Sequence, residues 1–221
     1  MGNKSSKKGK QNLVSPTLNN KLDLKSTNLM EIPENENAKN FTEVWLQDNS
    51  IKQLNSNCLW EKAETIYLSN NALSELPSQI IEKWKELKEI NLNGNKEIKE
   101  LPEEVSNWVN LTQIYLNFLS ISTIPSKSVA EWKNLRILHI NDTQLSELPP
   151  EVSFWTQLTM VSLNHNNLKV LPKEIKNWKK VQKLFINENQ LTSLPEEIGE
   201  VIFWFLNLIF NFNFFFFFFF F

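Results

Sequence analysis

Apolar positions in this chain recur in one fixed order of spacings, neither purely helical nor purely strand-like. The stretches "LSELPSQIIEKWKELKEINLNGN", "LSELPPEVSFWTQLTMVSLNHN" and "LKVLPKEIKNWKKVQKLFINEN" superpose on a single unit, LxxLPxxIxxWxxLxxLxLxxN. The last polar position falls at Thr27, Asn49, Asn71, Asn95, Leu119, Thr143, Asn166 and Asn189, in steps of 22, 22, 24, 24, 24, 23 and 23 residues. Within each unit, L-x-L is the period-two alternation of a short strand, with the leucines on one side and the residue between them on the other. Stacked strands of this kind form a parallel sheet with its apolar side turned inward.

The polar end of the unit has its own chemistry. An Asn side chain carries a donor and an acceptor, so it bonds backbone groups left free where the strand turns. Thr27 and Thr143 do part of this work and Leu119 does none, which predicts a looser turn at Leu119. Proline follows at Pro33, Pro77, Pro102, Pro125, Pro149, Pro172 and Pro195. It fixes φ and donates no hydrogen bond, which suits a return segment outside the sheet. Trp60, Trp84, Trp108, Trp132, Trp155 and Trp178 hold one repeat position, which predicts a buried stack behind the sheet. Each ring buries roughly 150–250 Å², worth on the order of 4–6 kcal/mol gross before entropy. Cys58, the one cysteine, reads as a small apolar packing residue suited to a reducing compartment.

A period of this length with LxxLxLxxN resembles the leucine-rich repeats. The form LPxxIxxWxxLxxLxLxxN is similar to the Ras-group, Scribble-like class of intracellular leucine-rich repeats, over about residues 18–200. The resemblance implies an α/β repeat solenoid: a horseshoe with a concave parallel β-sheet and short helical or irregular convex segments. It also implies protein partners, with small GTPases of the Ras type or their effectors as the expected class.

In repeat proteins the concave strand face is the usual binding surface. The residue inside each L-x-L projects there: Asp23, Trp45, Tyr67, Asn91, Tyr115, His139, Ser162 and Phe185. Trp45, Tyr67, Tyr115, His139 and Phe185 form an expected aromatic stripe, and exposed aromatics are enriched at binding hot spots. The next outward column is Lys25, Gln47, Ser69, Asn93, Asn117, Asn141, Asn164 and Asn187. The third is Ser26, Asp48, Asn70, Gly94, Phe118, Asp142, His165 and Glu188. Its acids, Asp48, Asp142 and Glu188, point to a partner with a basic, partly apolar surface.

Charge changes the picture only at the N-terminus. The chain of 221 residues has a formal charge of −2, so nothing global points to nucleic acid. Lys4, Lys7, Lys8, Lys10, Lys21 and Lys25 precede residue 27, with Asp23 alone opposing them. "MGNKSSKKGK" fits M-G-x-x-x-[ST], the N-myristoylation pattern at Gly2. With this start, the whole chain resembles small N-myristoylatable leucine-rich-repeat proteins. A myristoyl chain alone holds a membrane only marginally, with K on the order of 10⁴ M⁻¹. Lys4, Lys7, Lys8 and Lys10 add about 1 kcal/mol each against an anionic inner leaflet. The expectation is a flexible tether over residues 1–17 that places the protein peripherally on the cytoplasmic face of a membrane.

The expected repeat domain covers residues 18–200, about eight repeats, and an aberrant Phe-rich segment fills 201–221. Twelve of the sixteen phenylalanines lie between Phe203 and Phe221. Pro195, Ile198 and Val201 still fit the unit, whereas Trp204, Asn207 and Phe212 fall out of register. Three readings compete: a C-terminal membrane anchor, a capping element, and translated non-coding sequence. The chain has 22 lysines against one arginine and abundant Asn, Ile and Phe, a bias toward A/T-rich codons, and TTT encodes Phe. The break in mid-repeat and this bias favour the third reading, on which further repeats or another domain follow Glu200.

Catalytic motifs are lacking. Gly2, Gly9, Gly94 and Gly199 are the only glycines and make no phosphate-binding loop. No H-E-x-x-H or G-x-S-x-G occurs. His139, Asp142 and His165 fall on adjacent repeats but read as a solvated cluster rather than a metal site. The expected function is a non-catalytic interaction scaffold without cofactor or metal, binding a protein on its concave face and inner-leaflet lipid through its N-terminus. The alternative is the N-terminal piece of a larger signalling enzyme, a kinase, phosphatase or GTPase.

Overall fold

The computed structural model describes residues 20–202. Eight strands of three residues form one sheet: β1 (Lys21–Asp23), β2 (Glu43–Trp45), β3 (Thr65–Tyr67), β4 (Glu89–Asn91), β5 (Gln113–Tyr115), β6 (Ile137–His139), β7 (Met160–Ser162) and β8 (Lys183–Phe185). They stand in sequence order and every neighbouring pair is parallel. The register is the repeat itself: Leu22, Val44, Ile66, Ile90, Ile114, Leu138, Val161 and Leu184 pair in one continuous row, all buried.

Return segments run behind the sheet through short 3₁₀ turns and the helices α1 (Ser78–Ile81), α2 (Ser126–Glu131) and α3 (Ile198–Ile202). Helices this short are not stable alone in water, so packing against the sheet holds them. Pro77, Pro102, Pro125, Pro149 and Pro172 stand immediately before five of these turns. The carbonyl of each opens the turn, as where Ile80 N–H donates to Pro77 O at 2.9 Å. Helix α3 crosses the boundary expected at residue 200, and Val201 is buried in the core.

The tryptophan column is the spine of the core. All six indoles are 0% exposed, and they stack at 5.5 Å (Trp60–Trp84), 6.2 Å (Trp84–Trp108), 6.5 Å (Trp132–Trp155) and 6.3 Å (Trp155–Trp178) between centroids. Each indole from Trp84 onward also donates its N–H to a carbonyl one repeat back. The acceptors are Cys58, Ile81, Val105, Val129 and Val152, at 2.9–3.3 Å. Trp60 Nε1 is buried without such a partner. In the segment before it, the turn Ala38–Asn40 begins at the column position instead of ending ahead of it. Cys58 is buried beside this column, and burial pushes its thiol up to about 12.

The strand ends are closed by the predicted asparagines. Asn71 Nδ2 donates to the carbonyls of Leu46 (2.9 Å) and Leu68 (3.0 Å), and its Oδ1 accepts from Ile51 N–H at 3.0 Å. Asn49, Asn95, Asn166 and Asn189 repeat the arrangement. Thr27 Oγ1 donates to Leu24 O at 2.7 Å, and Thr143 Oγ1 bonds Asn166 Oδ1 at 2.5 Å. The looser turn expected at Leu119 does not occur. Leu119 packs into the core, Phe118 keeps the turn's φ of 59°, and Phe118 N–H donates to Asn141 O at 3.0 Å. Burial of the leucine replaces the missing polar bonds.

The residue before each of these positions is left-handed without exception: Ser26, Asp48, Asn70, Gly94, Phe118, Asp142, His165 and Glu188 have φ between 52° and 79°. A Cβ on Gly94 would lie 2.6 Å from Asn70 Oδ1, so glycine serves both conformation and space there.

Candidate protein-binding face

Opposite the core, the sheet presents two rows two residues apart on each strand. One is the expected row, and the register joins Asp23, Trp45, Tyr67, Asn91, Tyr115, His139, Ser162 and Phe185 without a break. Trp45, Tyr67, Tyr115, His139 and Phe185 are all half-buried. The other row is Lys21, Glu43, Thr65, Glu89, Gln113, Ile137, Met160 and Lys183. Motif reading missed this row because it precedes the first leucine of L-x-L. Period-two parity alone would have found it.

The second row holds the first in place. Tyr67 Oη donates to Glu89 Oε1 at 2.6 Å, and Tyr115 Oη donates to Gln113 Oε1 at 2.9 Å. Burial, and then the bond to Glu89, raises the Tyr67 hydroxyl well above its ordinary value. Burial, with the charge of Glu89 adding, raises that of Tyr115. Both remain protonated donors. Burial lowers His139, whose Nε2 lies 3.2 Å from Met160 Sδ.

Within the row the aromatic residues meet in pairs. Trp45 and Tyr67 meet edge to face at 5.5 Å, and Tyr115 meets His139 at 5.2 Å. Asn91 and Ser162 separate these pairs from each other and from Phe185. Asn91 turns back on its own strand, where its Oδ1 accepts from Asn93 N–H at 3.0 Å. Trp45 is not bare either: Lys21 Nζ lies 3.2 Å and Lys25 Nζ 4.7 Å from its ring centroid.

The outer columns are largely structural. Asn93, Asn117, Asn141 and Asn164 each accept, through Oδ1, the backbone N–H of the next asparagine at 2.7–2.8 Å. This ladder links the strand ends of five successive repeats. Asp48, Asp142 and Glu188 are exposed but sit on separate repeats and form no acidic cluster. Their left-handed backbone explains much of that column, since Asp and Asn tolerate this conformation best. Asp48 Oδ1 also accepts from Asn70 Nδ2 at 2.8 Å.

Among the described residues, no group of three or more His, Cys, Asp or Glu side chains is placed to hold a metal, and His139, Asp142 and His165 make no such group. Among the same residues no helix is long and apolar enough to cross a membrane. Gly2, Lys4, Lys7, Lys8 and Lys10, with the Phe-rich segment from residue 203, lie outside the described residues.

A parallel sheet in strict sequence order, an asparagine at most strand ends and helical turns behind leave one architecture. This is a leucine-rich-repeat solenoid. A leucine-rich-repeat protein of Leptospira interrogans matches 81% of the chain at 27% identity and a TM-score of 0.64, and the chain covers 52% of it. Internalin C2 of Listeria monocytogenes matches 82% of the chain at 20% identity and a TM-score of 0.71, with 76% of that protein covered. The leucine-rich-repeat ectodomain of the receptor kinase GASSHO1/SCHENGEN3 from Arabidopsis thaliana, solved with Casparian strip integrity factor 2, matches 72% at 26% identity and a TM-score of 0.66. The solenoid covers 20% of that ectodomain, so it spans about half of the Leptospira protein and a fifth of the plant one. No family model and no curated protein matches it.

Proposed function

We propose that this solenoid is a protein-interaction scaffold that binds its partner on the sheet face, at the half-buried Tyr115–His139 pair and at Phe185. The aromatic side chains that strand register sets in one row, Tyr115 beside His139 and Phe185 beyond Ser162, carry this reading. Half-buried rings fixed by neighbours lose little entropy on binding and supply large contact area. The plant ectodomain solved with its protein ligand supports protein binding by the same architecture. The N-terminal M-G-x-x-x-S pattern with Lys4, Lys7, Lys8 and Lys10 supports a myristoyl and polybasic tether at the inner face of a membrane. Resemblance to the Ras-group repeats supports a small GTPase or its effector as partner.

One experiment separates these parts. The tagged full chain is expressed in cells beside Tyr115→Ala/Phe185→Ala and Gly2→Ala. The double variant, still folded by circular dichroism, loses at least ten-fold of the proteins retained by the parent, and retention differs between lysates loaded with a GTP analogue and with GDP. Gly2→Ala moves the protein from the membrane to the soluble fraction. Unchanged retention by the double variant contradicts the binding face. Equal retention in both lysates contradicts the GTPase, and unchanged fractionation contradicts the tether.

A further inference from the structure

We propose that the N-terminal end of the sheet face is a subsite for a lysine or arginine side chain of a basic peptide segment, and that Lys21 and Lys25 occupy it in the free protein. The proposal rests on the sheet face being the binding surface and adds the chemistry of what it takes.

The subsite is built around Trp45 on β2. Lys21 Nζ stands 3.2 Å from the ring centroid and Lys25 Nζ 4.7 Å away. An ammonium over an indole face is drawn by the ring's negative quadrupole. Carboxylates complete the surround. Glu43 lies 3.6 Å from Lys21, and Asp23 lies 4.0 Å from Lys21 and 3.7 Å from Lys25. Tyr67 stands edge-on to the indole at 5.5 Å. An aromatic wall with two carboxylates suits a cation, and this one is filled by the chain's own cations.

The cover is of a kind that exchanges. The four charged side chains stay 29–47% exposed, where ion pairs are weakly held. Both lysines belong to β1 and its exit, at the outer edge of the described sheet. Two further atoms point to a peptide. Trp45 Nε1, at the end of β2, and Gln47 Oε1, two residues beyond it, are buried and have no hydrogen-bond partner among the described residues. They are a donor and an acceptor, the pair that an extended backbone answers with its C=O and N–H. From β2 to β8 the strand rows and the left-handed column carry Glu43, Asp48, Glu89, Asp142 and Glu188 against Lys183 alone. A basic segment running on across the strands is therefore complementary in charge. Its first cation displaces Lys21 and Lys25 from Trp45, so the closed lysines lower the affinity of the free protein.

The test uses the full chain and a fluorescein-labelled peptide of three lysines alternating with alanines, with a glutamate peptide of the same pattern as control. Anisotropy titrations compare the parent with Lys21→Ser/Lys25→Ser. The double variant binds the lysine peptide at least ten-fold tighter and neither protein binds the glutamate peptide. Removing two positive charges also strengthens any basic ligand non-specifically. Adding Trp45→Leu leaves that charge change in place while removing the ring, and it abolishes the gain. Should Trp45→Leu not fold, Asp23→Asn/Glu43→Gln in the same background keeps the side-chain shapes and also cuts the gain. An unchanged affinity on removing the lysines overturns the proposal, and so does a gain that survives the added substitutions or extends to the glutamate peptide. Tyr115→Ala/Phe185→Ala lies outside this subsite, so failure here and failure of the sheet-face reading are told apart.

Discussion

An asparagine at the end of a strand closes two repeats at once, because one side chain bonds carbonyls of its own repeat and of the one before it. Asn95 is 0% exposed and does this through Leu68 O, Leu92 O and Leu73 N–H. Leaving one such group unpaired costs about 1–3 kcal/mol, which is why the position is so seldom apolar. Leu119 shows the other solution, trading those bonds for about 1.5–3 kcal/mol of side-chain burial. Its neighbour Phe118 bears the cost, being 49% exposed in a left-handed backbone that disfavours bulky residues by roughly 1–2 kcal/mol. Phe118→Asn is therefore expected to stabilise the protein by about 0.5–1 kcal/mol, read as a higher urea midpoint at unchanged slope. A loss of that size would mean that the ring contributes more by packing than it strains the turn.

At the scale of elements, the return segments are held by the tryptophan column, and their hydrogen bonds set an order of sensitivity. Trp132 donates to Val105 O at 3.0 Å, whereas Trp60 Nε1 is buried with no acceptor among the described residues. Trp132→Phe removes the indole bond to Val105 O, which still accepts from Trp108 N–H, and opens space, and is expected to cost about 2–3 kcal/mol. Trp60→Phe opens similar space but removes an unpaired donor, and is expected to fall within about 1 kcal/mol of the parent. Equal losses in urea unfolding would contradict this account of the column. The strands and this column are legible in sequence because each repeats the same residue types at one position. The indole N–H bonds are not, since a spacing records which rings are buried and nothing of where their edges point. The Lys21 and Lys25 clamp over Trp45 escapes for a related reason. Long side chains reach across strands, and that reach carries no period.

For the molecule as a whole, side-chain ladders from one strand to the next make the sheet one continuous surface. Its charge is divided: lysines gather at the N-terminal edge, and carboxylates lie along the rest of the face. The aromatic stripe of the repeat column consists of two pairs and a lone Phe185, because Asn91 and Ser162 stand between them. Neighbouring strands lie about 4.8 Å apart, so a partner spanning Tyr115 to Phe185 must cross three strand intervals. That span suits an extended segment or a protein edge better than a small molecule. The claim most exposed to test is that this face, and not the convex one, meets the partner. A photo-crosslinking amino acid placed at Tyr115, Phe185 or, off the sheet in the turn after Glu103–Asn107, exposed Val109 in the full chain, followed by mass spectrometry of the adducts, decides it. Protein adducts from Tyr115 and Phe185 with none from Val109 are the expected result. Adducts confined to Val109 would contradict the account.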